Sequence, residues 1–172
     1  AVGRLKVSPP GLLILRASER GVFCAGGHLA DVRTSLASPG AGEQMALAMS
    51  AVLNELCDLP SLVVAVIEGP CIGGGAELAT AADMRLITES GYLHFVQAKL
   101  GVVAGWGGAG RLVAHCGRAN ALRALTGFEK LNGAVCEQMG LGVAVGPNEL
   151  EEWLNHLKGL EKAVLHALKS QV

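Results

Sequence analysis

The chain reads as an α/β domain with a largely parallel sheet, and three observations lead there. Val63–Ile67 is an unbroken, mostly β-branched run without polar alternation, as a strand buried on both faces requires. It breaks at Glu68-Gly69-Pro70 and leads through Gly73-Gly74-Gly75 into a carboxylate, Glu77, at the start of a helical pattern. Strand-like and helix-like segments then alternate along the rest of the chain, the order expected of a parallel sheet with crossover helices.

Taken in order, Ala1–Pro10 is basic, holds a double proline and reads as an entry loop. Leu12–Leu15 is a short apolar strand, and Gly21–Leu29 a brief strand running into a glycine-bearing loop. Asp31–Leu36 is expected to form one helical turn and Ser38–Gly42 a flexible link. Glu43–Leu59 is an amphipathic helix with Met45, Met49, Val52, Leu53 and Leu56 on one face, stopped by Pro60. From Ala76 the spacing of Leu78, Ala81, Ala82 and Leu86 predicts a helix to about Ile87, with Arg85–Thr88 running into a further short strand. Tyr92–Phe95 is strand-like, and Gly101–Gly110 is a third glycine-rich stretch around Trp106. Helical patterns over Arg111–His115 and Arg118–Leu125 flank Gly117. Asn132 caps a helix to Met139 that stops at Gly140, and Leu141–Val145 is a last strand. Glu149–Leu157 and Glu161–Ser170 are terminal helices. The 172 residues make one domain, with a core over 12–145 and terminal helices over 148–172.

Composition removes several classes of function. A net charge of −1 without a basic stripe gives nucleic acid no footprint. No apolar run approaches the ~20 residues that span a bilayer, and AVGRLKVSPP has no signal-peptide core. The five cysteines, Cys24, Cys57, Cys71, Cys116 and Cys136, are odd in number and widely spaced without a CxxC pair. They read as buried small hydrophobes in a reducing compartment, not as zinc ligands or a disulfide framework. No metal site is expected. The glycine loops contain neither GxGxxG nor a Walker lysine.

Two stretches can aim backbone N–H groups at one point: Ala25-Gly26-Gly27 and Gly73-Gly74-Gly75. Each follows a strand, so parallel neighbours would bring both to one sheet edge. A pair of such donors would stabilise a developing oxyanion.

The order FCAGGHL, GPCIGGGAELATAADMRL and HFVQAKLGVVAGWGGAGRL resembles the crotonase (enoyl-CoA hydratase/isomerase) superfamily over roughly Leu12–Leu157. The resemblance implies a spiral of β-β-α units, shortened here at both ends. It also implies an acyl-CoA thioester substrate, no separate cofactor, and assembly as a homotrimer or hexamer. Ala25 and Gly74 would donate to the thioester oxygen. Glu77 aligns with the first catalytic glutamate of hydratases, and Gln97 stands in the place of the second. Phe23, Gly26, Gly27, His28, Gly73 and Trp106 would line the bound thioester. His28 stands where the family usually carries Asp. Ala104 replaces a usual proline, which is expected to loosen the Trp106 loop. Lys6, Arg16, Arg20 and Arg33 flank the first loop and are candidates for CoA phosphates.

Trp106-Gly107-Gly108, GGGAEL and EEWL at Glu151–Leu154 most resemble the ethylmalonyl-CoA decarboxylase branch, which implies a cytosolic enzyme acting on ethylmalonyl-CoA and methylmalonyl-CoA; mitochondria are the alternative location. A glutamine cannot shuttle a proton, so two-carboxylate hydration loses half its machinery at Gln97. Loss of CO₂ to an enolate needs less. Two alternatives stand beside decarboxylation: an enoyl-CoA hydratase or isomerase, and a catalytically silent acyl-CoA-binding subunit.

Overall fold

A computed structural model of the chain describes residues 2–18, 21–27 and 40–172. His28, Arg20, Arg33 and the expected helical turn at Asp31–Leu36 lie outside the described residues.

Among the described residues seven strands form two sheets. Strands β1 (Leu12–Arg16), β2 (Leu62–Ile67), β4 (Met84–Ile87) and β7 (Val143–Ala144) make a sheet of order β1-β2-β4-β7. Every pair in it is parallel, with Ile14 opposite Val64 and Val66 opposite Leu86. Strands β3 (Pro70–Ile72), β5 (Tyr92–His94) and β6 (Leu131–Asn132) make the second sheet, in which β3 and β5 are parallel and β5 and β6 antiparallel. Consecutive strands therefore alternate between sheets: β2 then β3, β4 then β5. The corners are Glu68-Gly69 and Ser90-Gly91. A Cβ on Gly69 would strike the Gly21 carbonyl and one on Gly91 the Ile67 carbonyl, so the chain turns from sheet to sheet only where glycine allows the close approach. This is the β-β-α spiral expected from the sequence.

Strand β2 is buried on both faces, as its composition predicts. Val63, Ala65 and Ile67 join the main core with Leu53, Leu56, Cys71, Leu93, Phe95 and Leu131. Val64 and Val66 face a second cluster with Leu86, Leu150, Leu154 and Leu157. At roughly 1.5–3 kcal/mol for each large aliphatic side chain removed from water, this strand anchors both layers.

The helices among the described residues are α1 (Val2–Val7), α2 (Ala41–Cys57), α3 (Gly74–Ala79), α4 (Gly108–Leu125), α5 (Gly133–Gln138), α6 (Pro147–Gly159) and α7 (Lys162–Gln171). Three differ from expectation. The entry segment is the short helix α1, not a loop; its Lys6 pairs with Glu55 of α2 at 3.2 Å. Helix α2 begins at Ala41, because Gly40 is its N-terminal flanking residue and Gly40 C=O accepts from Gln44 N–H. The helix expected to reach Ile87 ends at Ala79. There Thr80 Oγ1 turns back to donate to Glu77 C=O at 2.6 Å, and Arg85 Nη1 fills the Ala79 and Ala82 carbonyls at 3.2 and 2.6 Å. Side-chain donors take the carbonyls that further helical turns would have used. Leu86, expected on that helix face, is instead a core residue of β4.

Two expectations held closely. Gly117 breaks the helical angles inside α4 (φ 74°, ψ 165°). Asn132 Oδ1 accepts from Val135 N–H at 3.0 Å and caps α5.

Candidate active site

The first glycine loop is stitched onto β3. Phe23 and Cys24 N–H both donate to Pro70 C=O at 3.0 and 3.3 Å, and Ile72 N–H returns a bond to Cys24 C=O at 2.9 Å. These bonds set Ala25 and Gly26 beside Gly73 and Gly74. The contact is tight: a Cβ on Gly26 would lie 2.9 Å from Gly74 N, and one on Gly75 would strike the Cys24 carbonyl. Gly26 (φ 86°) and Gly73 (φ 58°) both occupy the left-handed half of backbone space, where a side chain is strained. Ala25 is exposed, and Gly74 opens α3, whose first N–H groups have no helical acceptor. The two glycine loops thus meet at one edge, as parallel neighbours should. Phe23, assigned to the ligand from sequence, is half-buried against the main core, and Gly27 is exposed.

Glu77 lies in the first turn of α3, only 2% exposed. Its carboxylate is surrounded by N–H donors. Oε1 accepts from Gln97 Nε2 at 3.0 Å; Oε2 accepts from Trp106 N–H at 2.8 Å and Gly108 N–H at 3.0 Å. Gln97 opens a short 3-10 turn, Gln97–Leu100, which brings its amide to Glu77. The other amide atom, Gln97 Oε1, is buried without a hydrogen-bond partner.

Trp106 completes the cluster. Its ring lies across Gly74, where a Cβ would collide with the indole. Two hydrogen bonds hold the Trp106 end of the loop that carries Ala104. Trp106 N–H is held by Glu77, and Trp106 C=O accepts from Arg111 Nη2 at 2.6 Å. Arg111 also reaches Thr80 Oγ1 at 3.0 Å and Asn54 Oδ1 at 3.4 Å, tying α4 to α3 and α2. Sequence reasoning missed Arg111. A signal existed: a cation in the first turn of a helix opposes the helix dipole and needs another occupation. Burial holds the Arg111 guanidinium below its ordinary range.

The two cationic candidates among the described residues, Lys6 and Arg16, are each paired with a glutamate. Lys6 pairs with Glu55, and Arg16 makes a two-pronged pair with Glu68 at 2.6 and 2.8 Å. A cavity of about 920 Å³ opens beside Arg16, between Arg16, Val22, Glu68, Thr88, Pro147 and Glu151, and none of the described residues expected from the sequence to line a thioester borders it. Among the described residues no group of three or more His, Cys, Asp or Glu is placed to hold a metal, and no helix is long and apolar enough to cross a membrane.

Comparison with known proteins places this geometry. The profile of the enoyl-CoA hydratase/isomerase family matches residues 10–172. The chain belongs to that family. Ethylmalonyl-CoA decarboxylase of Danio rerio is 39% identical over 96% of this chain and 52% of its own length. The rat enzyme of the same name (Rattus norvegicus) is 35% identical over 94% of this chain and 56% of its own. This family member thus spans about half the length of the curated relatives it matches. An enoyl-CoA hydratase from Geobacillus kaustophilus superposes with a TM-score of 0.87 at 26% identity, over 98% of this chain and 66% of that one. An enoyl-CoA hydratase from Bacillus anthracis, at 23% identity and a TM-score of 0.85 over 98% of this chain and 67% of that one, shares the fold.

Proposed function

We propose that this chain carries the thioester site of an acyl-CoA decarboxylase acting on substituted malonyl-CoA thioesters such as ethylmalonyl-CoA and methylmalonyl-CoA. The observation that carries the reading is the amide of Gln97 against Glu77. Adding water across an enoyl-CoA double bond calls for two groups that exchange protons, and an amide exchanges none. Decarboxylation asks chiefly for stabilised negative charge. The C–C bond to the carboxylate breaks, CO₂ leaves, and the electron pair passes into the thioester enolate. A proton from water then adds at Cα to give the shortened acyl-CoA. Ala25 and Gly74 N–H groups supply the enolate oxygen with two donors, fixed before the reaction by the bonds between the first glycine loop and β3. Gly73 and Gly26 let the thioester approach the backbone, and Trp106 walls the acyl group. The relatives named for ethylmalonyl-CoA decarboxylation support the same reading. CoA enters as part of the substrate, and a cytosolic trimer or hexamer is part of this proposal.

Hydration is the second reading, favoured by Glu77 itself and by the hydratase fold neighbours. Incubation with ethylmalonyl-CoA and, separately, crotonyl-CoA, followed by mass spectrometry, tests the two together. Butyryl-CoA from the first and no hydrated product from the second is the expected result. Hydration alone would replace decarboxylation and keep the fold and the donor pair. Binding of both thioesters without turnover would favour a silent acyl-CoA-binding subunit.

A further inference from the structure

We propose that Trp106 is the specificity-determining residue of this site: its ring sets an upper limit on the alkyl group at Cα of the thioester and restricts the chain to short-chain substituted malonyl-CoA thioesters. The inference rests on the thioester-site reading above and adds to it the size of acyl group the site accepts.

In that reading the thioester oxygen lies between Ala25 N–H and Gly74 N–H, and the two groups on the carbonyl carbon leave it in different directions. One is the sulfur that leads to CoA, a long and charged arm that has to stay in water. Ala25 and Gly27 are exposed and leave that side open. The other is Cα, which is left with the inner side, where Gly74 meets the indole. A Cβ on Gly74 would collide with Trp106 Cη2 and Cζ3 and lie 2.9 Å from Cζ2. The ring therefore covers the backbone next to the donor itself, within reach of the first carbons beyond Cα. Of the groups on Cα, the alkyl group gains from contact with the ring, whereas a carboxylate would lose its hydration there.

This wall has nowhere to retreat. Trp106 N–H donates to Glu77 Oε2, and its C=O accepts from Arg111 Nη2. The glycines on either side press the strap against α2: a Cβ on Gly105 would lie 3.2 Å from Ala46 Cβ, and one on Gly107 3.1 Å from Ser50 Oγ. The ring is half-buried and packs against the main core. Close-packed groups do not make room for an added methylene without strain. An alkyl group that overfills the space is therefore refused, and a hydrophobic pocket discriminates by about 10-fold or more per methylene.

Methyl-, ethyl-, propyl- and butylmalonyl-CoA are compared by kcat/KM in the native chain, Trp106→Phe and Trp106→Leu, with a urea midpoint for each variant. Binding of two products, butyryl-CoA and hexanoyl-CoA, is measured by calorimetry on the same preparations. In the native chain kcat/KM is expected to fall by about 10-fold or more for each methylene beyond ethyl. Trp106→Leu lowers turnover of ethylmalonyl-CoA, yet raises the butylmalonyl-to-ethylmalonyl ratio of kcat/KM by about 100-fold. Trp106→Phe lies between, and the hexanoyl-to-butyryl affinity ratio moves the same way. Trp106→Phe decides by itself if Trp106→Leu does not fold.

Unchanged ratios in the folded variants would overturn the inference. So would a native chain that turns over butylmalonyl-CoA as readily as ethylmalonyl-CoA. If the native chain binds the products but turns over no malonyl thioester, the decarboxylase reading fails alone, and the affinity ratios still decide the role of Trp106. Failure to bind either product would overturn both.

Discussion

The two ends of helix α3 each bury a charged side chain, and they solve the same problem in opposite ways. At the N-terminal end the Glu77 carboxylate is surrounded by N–H groups; beyond the C-terminal end the Arg85 guanidinium, 4% exposed, is surrounded by carbonyls. Arg85 donates to Ala79, Ala82, Asp83 and Leu141 carbonyl oxygens. Among the described residues neither charge makes an ion pair, although Arg111 lies near Glu77 and Asp83 near Arg85. The nearby Asp83 carboxylate is occupied by Val63 N–H at 2.7 Å and Lys169 at 2.9 Å. Burial lowers the Arg85 pKa to about 10, which leaves it charged at neutral pH.

The difference between the ends lies in what each charge is attached to. Arg85 joins the end of α3 to the segment after α5 and lies wholly within the fold. Glu77 joins α3 to the strap that carries Trp106, and beside it sits the unpartnered Gln97 Oε1. Backbone groups supply most of the partners at either end, and only Glu77 takes a side-chain amide, Gln97 Nε2, as well. Burial of a carboxylate is therefore weak evidence for acid–base chemistry until its hydrogen bonds are counted.

The comparison can be broken most severely at the closed end. Arg85→Met removes the side-chain donor to four carbonyls, of which Ala79 C=O keeps Ala82 N–H. It is expected to cost about 3 kcal/mol or more of stability, measured as a lower urea midpoint, with the acyl-CoA site following only as the protein unfolds. At the open end, Gly74→Ala drives a methyl into the Trp106 ring. Turnover of ethylmalonyl-CoA is expected to fall by about 100-fold, the scale of a disturbed oxyanion donor. The urea midpoint should move much less than in Arg85→Met. Equal effects of both substitutions on stability and turnover would erase the distinction between the two ends.

The smallest effect sharpens the comparison. His115 lies 3.5 Å from Arg85 and contacts Thr80 C=O at 2.9 Å. Burial, and then the Arg85 charge, lower its pKa from the ordinary 6.5. The folded state therefore binds the proton less readily than the unfolded chain. Stability from this group is complete above pH about 6.5 and declines as pH falls toward the lower folded value. Thermal melts from pH 7.5 to 5 should show that decline, and His115→Gln should flatten it. An unchanged slope would mean that burial and the Arg85 charge together do not shift His115 between the unfolded and folded states.

Much of this molecule was legible in local chemistry. The β-branched run of β2, the glycine corners, the Asn132 cap and the Gly117 break each depend on residues within a few positions of one another. The juxtaposition of Ala25 and Gly74 was also within reach, because parallel order alone brings their loops to one edge. What misled was the segment after Glu77. Leu78, Ala81, Ala82 and Leu86 carry helical spacing, yet Arg85 and Thr80 end the helix at Ala79 through bonds that periodicity does not encode.

The sequence by itself determined the spiral, the buried strand, the family and the residue types available for thioester chemistry. Each follows from hydrophobic pattern, backbone freedom at glycine, or motif order. Only the tertiary structure decided what Glu77, Gln97, Trp106 and Arg111 do to one another. Their bonds span 5 to 34 positions along the chain. Whether a carboxylate meets substrate or backbone N–H groups depends on how α3 and α4 pack, and packing is a property of the folded chain, not of any segment of it.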